Sequence, residues 1–319
     1  MDYKVVATQE ELDKVAALPD ELFKKIPDDE KNSEFIATEA TTYIKDVWRR
    51  LNSNKVTTVA LIIIAVVILM AILGPILSGY TYDGQDLTMR NALPCKEHLF
   101  GTDKFGRDIF TRVCYGARIS LTIGFSAAII NLVIGIIYGG IAGYAGGRVD
   151  MIMMRIVDIL YCIPSSMYVI LIMVVLGANM YSVLVGICIS SWVGMARMVR
   201  SQVLSLKQQE FAMAATVLGA SRKRILFKHL IINAMGPIIV NFTFMVPSAI
   251  FTEAYLSFIG VGISAPMASW GTLANDARST LLTFPHQMIF PVLAICITMF
   301  SFNFIGDGLR DALDPKLKK

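Results

Sequence analysis

Residues 56–77 read VTTVALIIIAVVILMAILGPIL, an apolar run without a single charged side chain. A helix rises about 1.5 Å per residue and a bilayer core is about 30 Å thick, so about 20 such residues cross it. The run predicts a membrane-spanning helix and makes lipid part of the solvent of this chain. Residues 119–144, 152–176, 181–195, 234–259 and 288–305 repeat the signal less uniformly. The expected fold is therefore an all-α polytopic membrane protein with six transmembrane helices. Composition agrees, since 55% of the 319 residues are hydrophobic and 17% are charged, where a soluble domain carries about 25% charged.

The first run follows a long charged segment and is too long for a signal-peptide core, so it reads as a retained anchor. Upstream, Ile44, Val47, Trp48 and Leu51 recur at helical spacing beside Lys45, Arg49 and Arg50. That pattern suits an amphipathic helix lying in the interface with its Trp at headgroup depth, or an ordinary solvated helix with one apolar stripe. Basic residues set orientation. With both termini cytoplasmic, the inner segments hold Lys45 to Lys55, Arg148, Arg155, the basic set from Arg197 to Lys228, and Arg310 with Lys316, Lys318 and Lys319. The resulting division is a cytosolic segment 1–55, an outer loop 78–118, a membrane core 119–305 containing an inner loop at 197–231, and a cytosolic tail 306–319. The outer loop is the exception to the charge rule, but its basic residues alternate with Asp83, Asp86, Glu97, Asp103 and Asp108.

No engine is legible. Gly101-Thr-Asp-Lys-Phe-Gly106-Arg107-Asp108 approaches a phosphate-binding loop but lacks the lysine and hydroxyl that reach phosphate and Mg²⁺. Gly260-x-Gly262-x-x-Ala265 has no preceding strand and no βαβ unit around it. His98, His229 and His286 fall in separate segments, and no Cys/His cluster has metal spacing. The chain is expected to be no enzyme and to hold no cofactor and no metal. Its five cysteines read as free thiols, with a bridge between Cys95 and Cys114 as the alternative.

The inner loop carries the richest pattern. Glu210-Phe-Ala-Met213-Ala214-Ala215-Thr-Val-Leu218 is built of helix formers, Gly219 is a natural stop, and Ser221 can cap a second, basic helix beginning at Arg222. A short helix, a bend and a basic helix make a small knob with a partly apolar tip, suited to a cleft on a soluble partner. From the second span onward, Gly135, Gly139, Gly143 and Gly147 stand four apart, a strip along which another helix can approach closely. Glu253 is an ionisable residue at depth, functional by default or paired with a neighbouring helix. Asn131 and Asn241 can line a pathway or bond between helices, and Arg155 with Asp158 can pair along one helix.

At the inner loop, Ala214-Ala215-x-x-x-Gly219 resembles the EAA loop of ABC importer permeases, with Met213 in place of the usual glutamate and Ile232 in place of a frequent proline. His98-Leu-Phe-Gly101-Thr-Asp103-Lys-Phe-Gly106-Arg107-Asp108, Tyr115-Gly-Ala-Arg118-Ile-Ser-Leu121, Met154-Arg-Ile-Val-Asp158, Glu253-Ala-Tyr-Leu-Ser-Phe-Ile-Gly260, Ser269-Trp-Gly271 and Gly306-Asp-Gly-Leu-Arg310-Asp-Ala-Leu-Asp-Pro315 follow in order. Together they resemble the C-type permeases of dipeptide, oligopeptide and nickel importers. The resemblance implies a type I importer. A second, homologous permease completes a heterodimer, two ATPase subunits bind ATP and Mg²⁺, and an extracytoplasmic binding protein delivers solute at the cell membrane. It implies ATPase coupling through Glu210, Met213, Ala214, Ala215, Gly219 and Arg222. It makes Gly101, Asp103, Gly106, Arg107 and Asp108 a candidate surface for the binding protein. Peptide is the expected solute, a nickel chelate or other small solute the alternative, and a self-contained secondary transporter a more distant one. Nucleic acid is not an expected partner.

Overall fold

Proline, glycine and short polar caps decide where the helices of this chain begin, bend and stop. The computed structural model describes residues 43–264 and 266–313. Expectations for the charged leader, for Ala265 and for the terminal lysines lie outside the described residues. Contacts divide the chain into residues 1–46 and 47–319, and every membrane-length helix lies in the second unit.

Helix α1 (Tyr43–Ser53) leads into α2 (Lys55–Leu77) through Asn54, whose side chain accepts from the amides of Val56 and Thr57 at 3.0 and 3.4 Å. In α1, Leu51 is buried and Trp48 is exposed. Pro75 has no amide hydrogen, so inside α2 it leaves the Ala71 carbonyl without its helical donor. Arg118 fills that gap. Its Nε donates to the Ala71 carbonyl at 2.5 Å and its Nη2 to that of Ile72 at 2.8 Å. A cation placed among outer-loop residues by sequence is spent on the helix backbone.

Helix α3 (Ile109–Ala145) starts at Ile109, not at the expected 119, which ends the outer loop at 108. The Asp108 carboxylate accepts from the Thr111 amide at 2.7 Å, an N-cap that hydropathy does not register. The expected continuous span 152–176 is two helices, α4 (Gly147–Cys162) and α5 (Ser165–Leu176), bent by 79°. Pro164 forces the break, because its ring drives Ile163 into extended backbone at φ −92° and ψ 126°. Helix α6 (Met180–Lys207) runs well past the expected 195. The inner loop holds α7 (Glu210–Val217), and after it come α8 (Met235–Phe258), the short outer α9 (Trp270–Ala277) and α10 (His286–Leu313). Among the described residues five single helices are long and apolar enough to cross a membrane, and the bent α4–α5 pair brings the number to six when it is counted as one span.

The glycine strip is a packing surface. A Cβ at Gly139 would run into the Ala196 backbone, and one at Gly143 would stand 2.8 Å from the Arg200 carbonyl oxygen. Helices α3 and α6 therefore meet backbone to backbone. At the inner end of this seam, Arg200 grips Asp150 through two bonds of 2.5 and 2.6 Å, and Lys207 donates to the Tyr144 carbonyl at 2.6 Å. Asp158 pairs with Arg197 of α6 at 2.8 Å and not with Arg155 of its own helix. The guanidinium of Arg197 also lies over the Tyr161 ring, a second reason to reach across. All five cysteines are free, with Cys95 exposed and Cys114 buried.

Candidate functional site

Three regions carry functional geometry: a knob and a cap, called inner and outer after the orientation expected from the basic residues, and a cleft between α3, α6 and α8. The knob is α7 and the turn after it. Ala212 and Ala215 are buried against Val199 and Val203 of α6 and Ile225, Leu226 and Leu230 of the following segment. Alanine at those two places lets α7 lie close to the bundle. The opposite face stays outside, with Met213 53%, Val217 88% and Leu218 86% exposed. Glu210, Ala214, Gly219 and Arg222 are exposed as well. The helix stops in a Schellman turn, in which the Ala220 amide donates to the Ala215 carbonyl and the Gly219 amide to that of Thr216, both at 3.0 Å. Gly219 sits at φ 77°, where a Cβ is strained. Ser221 caps the next turn, Arg222–Arg224, by accepting from the Arg224 amide at 3.4 Å. A π-helical stretch, Ile225–Leu230, then returns the chain to the bundle. Beside the knob, a groove of about 830 Å³ is lined by Tyr144, Lys207, Met213, Val217, Lys223 and Phe227, among others.

The outer cap inverts this arrangement, turning its charges inward. Asp103 accepts from Arg107 Nε and Arg112 Nη1, each at 2.6 Å, and Arg107 reaches Asp276 of α9 at 3.0 Å. His98 and Asp108 meet at 2.9 Å, and Asp108 also holds the Thr111 hydroxyl at 2.6 Å. Asp103, Arg107 and Asp108 are each less than 8% exposed. Gly101 and Gly106 are buried too, and a Cβ on Gly106 would run into the Asp86 carbonyl. Asp86 itself is outside, and the Thr88 hydroxyl and amide hold its carboxyl below the ordinary carboxylate range. The candidate binding-protein residues thus build the cap from within, and Phe105 is the exposed residue of that stretch. Sequence reading missed Asp276, and it missed Leu282, whose side chain is 99% exposed on the same side.

Helix α9 is locked beneath the cap. Ser269 and Thr272 form a reciprocal capping box, and Trp270 Nε1 donates to the Val113 carbonyl at 3.0 Å. Glu253 closes the same joint. It is fully buried and accepts from Ser120 Oγ at 3.0 Å and Ser257 Oγ at 2.8 Å. The side chain thereby ties α8 to α3 and is absent from the lining of the cleft that holds Asn131 and Asn241. That cleft, of about 180 Å³, is lined by Asn131, Ser191, Asn241, Phe244, Met245, Ser248, Ala249 and Thr252. It adjoins a larger groove of about 500 Å³ that shares Asn241 and Phe244 and reaches Gln202 and Arg310.

A bundle of apolar helices with a small projecting knob is the build of a transport permease. Residues 120–319 match the family described as binding-protein-dependent transport system inner membrane component, and residues 42–94 match the N-terminal TM domain of oligopeptide transport permease C. The chain belongs to this family of inner membrane transport components. It is 50% identical over 302 residues to the oligopeptide transport system permease protein OppC of Bacillus subtilis, covering 95% of this chain and 99% of that one. It is 47% identical to the dipeptide transport system permease protein DppC of the same organism, covering 95% of each. With OppC of Escherichia coli K12 the identity is 43%, over 90% of this chain and 96% of the other. A chain of the MetNI methionine ABC transporter in an inward-facing form superposes with a TM-score of 0.55 at 18% identity, covering 64% of this chain and 96% of that chain. That likeness bears out the type I importer fold.

Proposed function

We propose that this chain is one permease of a heterodimeric ABC importer of oligopeptides or dipeptides in the cell membrane, with both termini cytoplasmic. ATP and Mg²⁺ belong to two partner ATPase subunits, and a binding protein delivers peptide to the outer cap. The observation that carries the reading is the knob: an apolar tip, Val217 and Leu218, held almost wholly in solvent on a turn that fixes its direction. Apolar side chains so exposed on a fixed turn mark a surface for a protein partner. Basic Arg222 and Lys223 flank the tip and suit an acidic rim on that partner. The names and the identity of the relatives support peptide as the solute.

The outer surface offered to the binding protein is Phe105 with Leu282, in place of the buried Asp103, Arg107 and Asp108. The test is reconstitution of the complex in vesicles with its ATPases, second permease and binding protein. Peptide uptake should require ATP, and a Val217→Cys chain should cross-link to an ATPase subunit. Uptake by the isolated chain, or cross-links to no ATPase, would refute the assignment.

A further inference from the structure

The cleft between α3, α6 and α8 has features that a helix seam does not need. Asn131, Ser191 and Ser248 fall in the middle third of their helices, so three polar side chains converge at one depth. Polar groups at such depth are costly unless they find partners. Asn131 is 2% exposed, yet its Oδ1 has no hydrogen-bond partner among the described residues. Ser191 and Ser248 stand exposed on the cleft wall and Asn241 is half-buried. Thr252 has already committed its hydroxyl proton to the Ser248 carbonyl at 2.8 Å, which leaves its oxygen as an acceptor. Phe244, Met245 and Ala249 supply the apolar remainder.

No residue of that lining is charged, and the nearest cation of the connected groove is Arg310, beyond Asn241 and Phe244. A wall of carboxamides and hydroxyls offers both donors and acceptors at fixed places. Its complement is a backbone amide, which needs one of each. An anionic chelate would ask for cations at this depth. Phe244 and Met245 give side chains of any type a soft, adaptable neighbour.

We infer that the Asn131–Asn241–Ser191–Ser248 cleft is a solute-binding wall that holds the peptide backbone by hydrogen bonds and ignores the charge of the peptide side chains. The inference rests on the peptide-permease reading above. Asn131 Oδ1 accepts from a backbone N–H, and the Asn241 carboxamide supplies the reciprocal donor. Passage of acidic, basic and neutral peptides through one wall follows directly.

The experiment uses the whole reconstituted complex and three tripeptides, acidic, neutral and basic. Asn131→Leu and Asn241→Leu should each lower uptake about tenfold for all three, because a buried partner is left unpaired. ATP hydrolysis stimulated by the loaded binding protein should stay within about twofold, as expected for a solute contact and not a coupling element. A separate Ser248→Cys chain should react with a maleimide, above the background of the parent chain, and saturating tripeptide should protect it. Loss of uptake and of stimulated hydrolysis together, or protection by a nickel–histidine chelate but not by tripeptide, would overturn the inference. So would unchanged uptake in both Asn variants. Where Asn131→Leu fails to assemble, the Ser248→Cys protection decides. Absence of tripeptide uptake by the parent complex would instead refute the peptide-permease reading itself.

Discussion

The inner knob and the outer cap use opposite means to hold a loop outside the membrane. The knob buries two alanines and leaves its large apolar side chains in solvent, whereas the cap buries its charges and closes them on one another. A loop that must be gripped by another protein exposes what that protein will cover. A loop that must keep its shape while partners come and go is better held by its own ion pairs. Removing one member of a buried network strands the others, so the cap should fail by unfolding and the knob by losing its partner.

The sharpest break is Asp103→Ala. It removes the more buried of the two carboxylates that Arg107 and Arg112 share and leaves them only the partly exposed Asp276, so stability should fall by about 3 kcal/mol. Thermal unfolding of the detergent-purified chain measures it, and a loss below about 1 kcal/mol would place the network outside the fold's support. Gly219→Val comes next. A branched side chain at φ 77° costs about 1–2 kcal/mol and spoils the Schellman turn. The chain should still reach the membrane while ATP hydrolysis no longer drives uptake, and normal uptake would dismiss the turn as a coupling element. Leu218→Asp tests the tip alone: at 86% exposure its effect on stability should stay within about 0.5 kcal/mol. Binding-protein-stimulated hydrolysis should nonetheless drop severalfold. Phe105→Ala is the mildest, and should weaken binding-protein affinity by about threefold with no change in unfolding.

The same contrast explains what could be read from the chain alone. The knob was legible because its helix, stop and cap lie within residues 210–224, where local rules apply. The burial of the cap is harder to read, because Asp103 is a local partner of Arg107 but its second partner, Asp276, lies far along the chain, and nothing local tells a buried arginine from an exposed one. Ile163-Pro164 did carry the break of the third span, but averaged hydropathy hid it. Asp108 was visible as a cap three residues before Thr111 and was passed over for the same reason. Asn131 and Asn241 stand out in the sequence as polar residues in apolar runs. Their meeting across one cleft, and the burial of Glu253 away from it, depend on helix rotation, which a pattern of small residues does not fix.

The seam of Gly135, Gly139 and Gly143 has a mechanical consequence. With no side chains on the α3 side, Met195, Ala196 and Val203 of α6 seat directly on its backbone, and the Arg200–Asp150 and Lys207–Tyr144 bonds clamp the inner end. Helix α6 alone is about 40 Å long at 1.5 Å per residue, carrying the knob at one end and Ser191 midway. A push on the knob therefore travels along a stiff rod, and the wall of the cleft turns with it instead of bending. No such continuous rod exists across Pro164, where α4 and α5 meet at 79°.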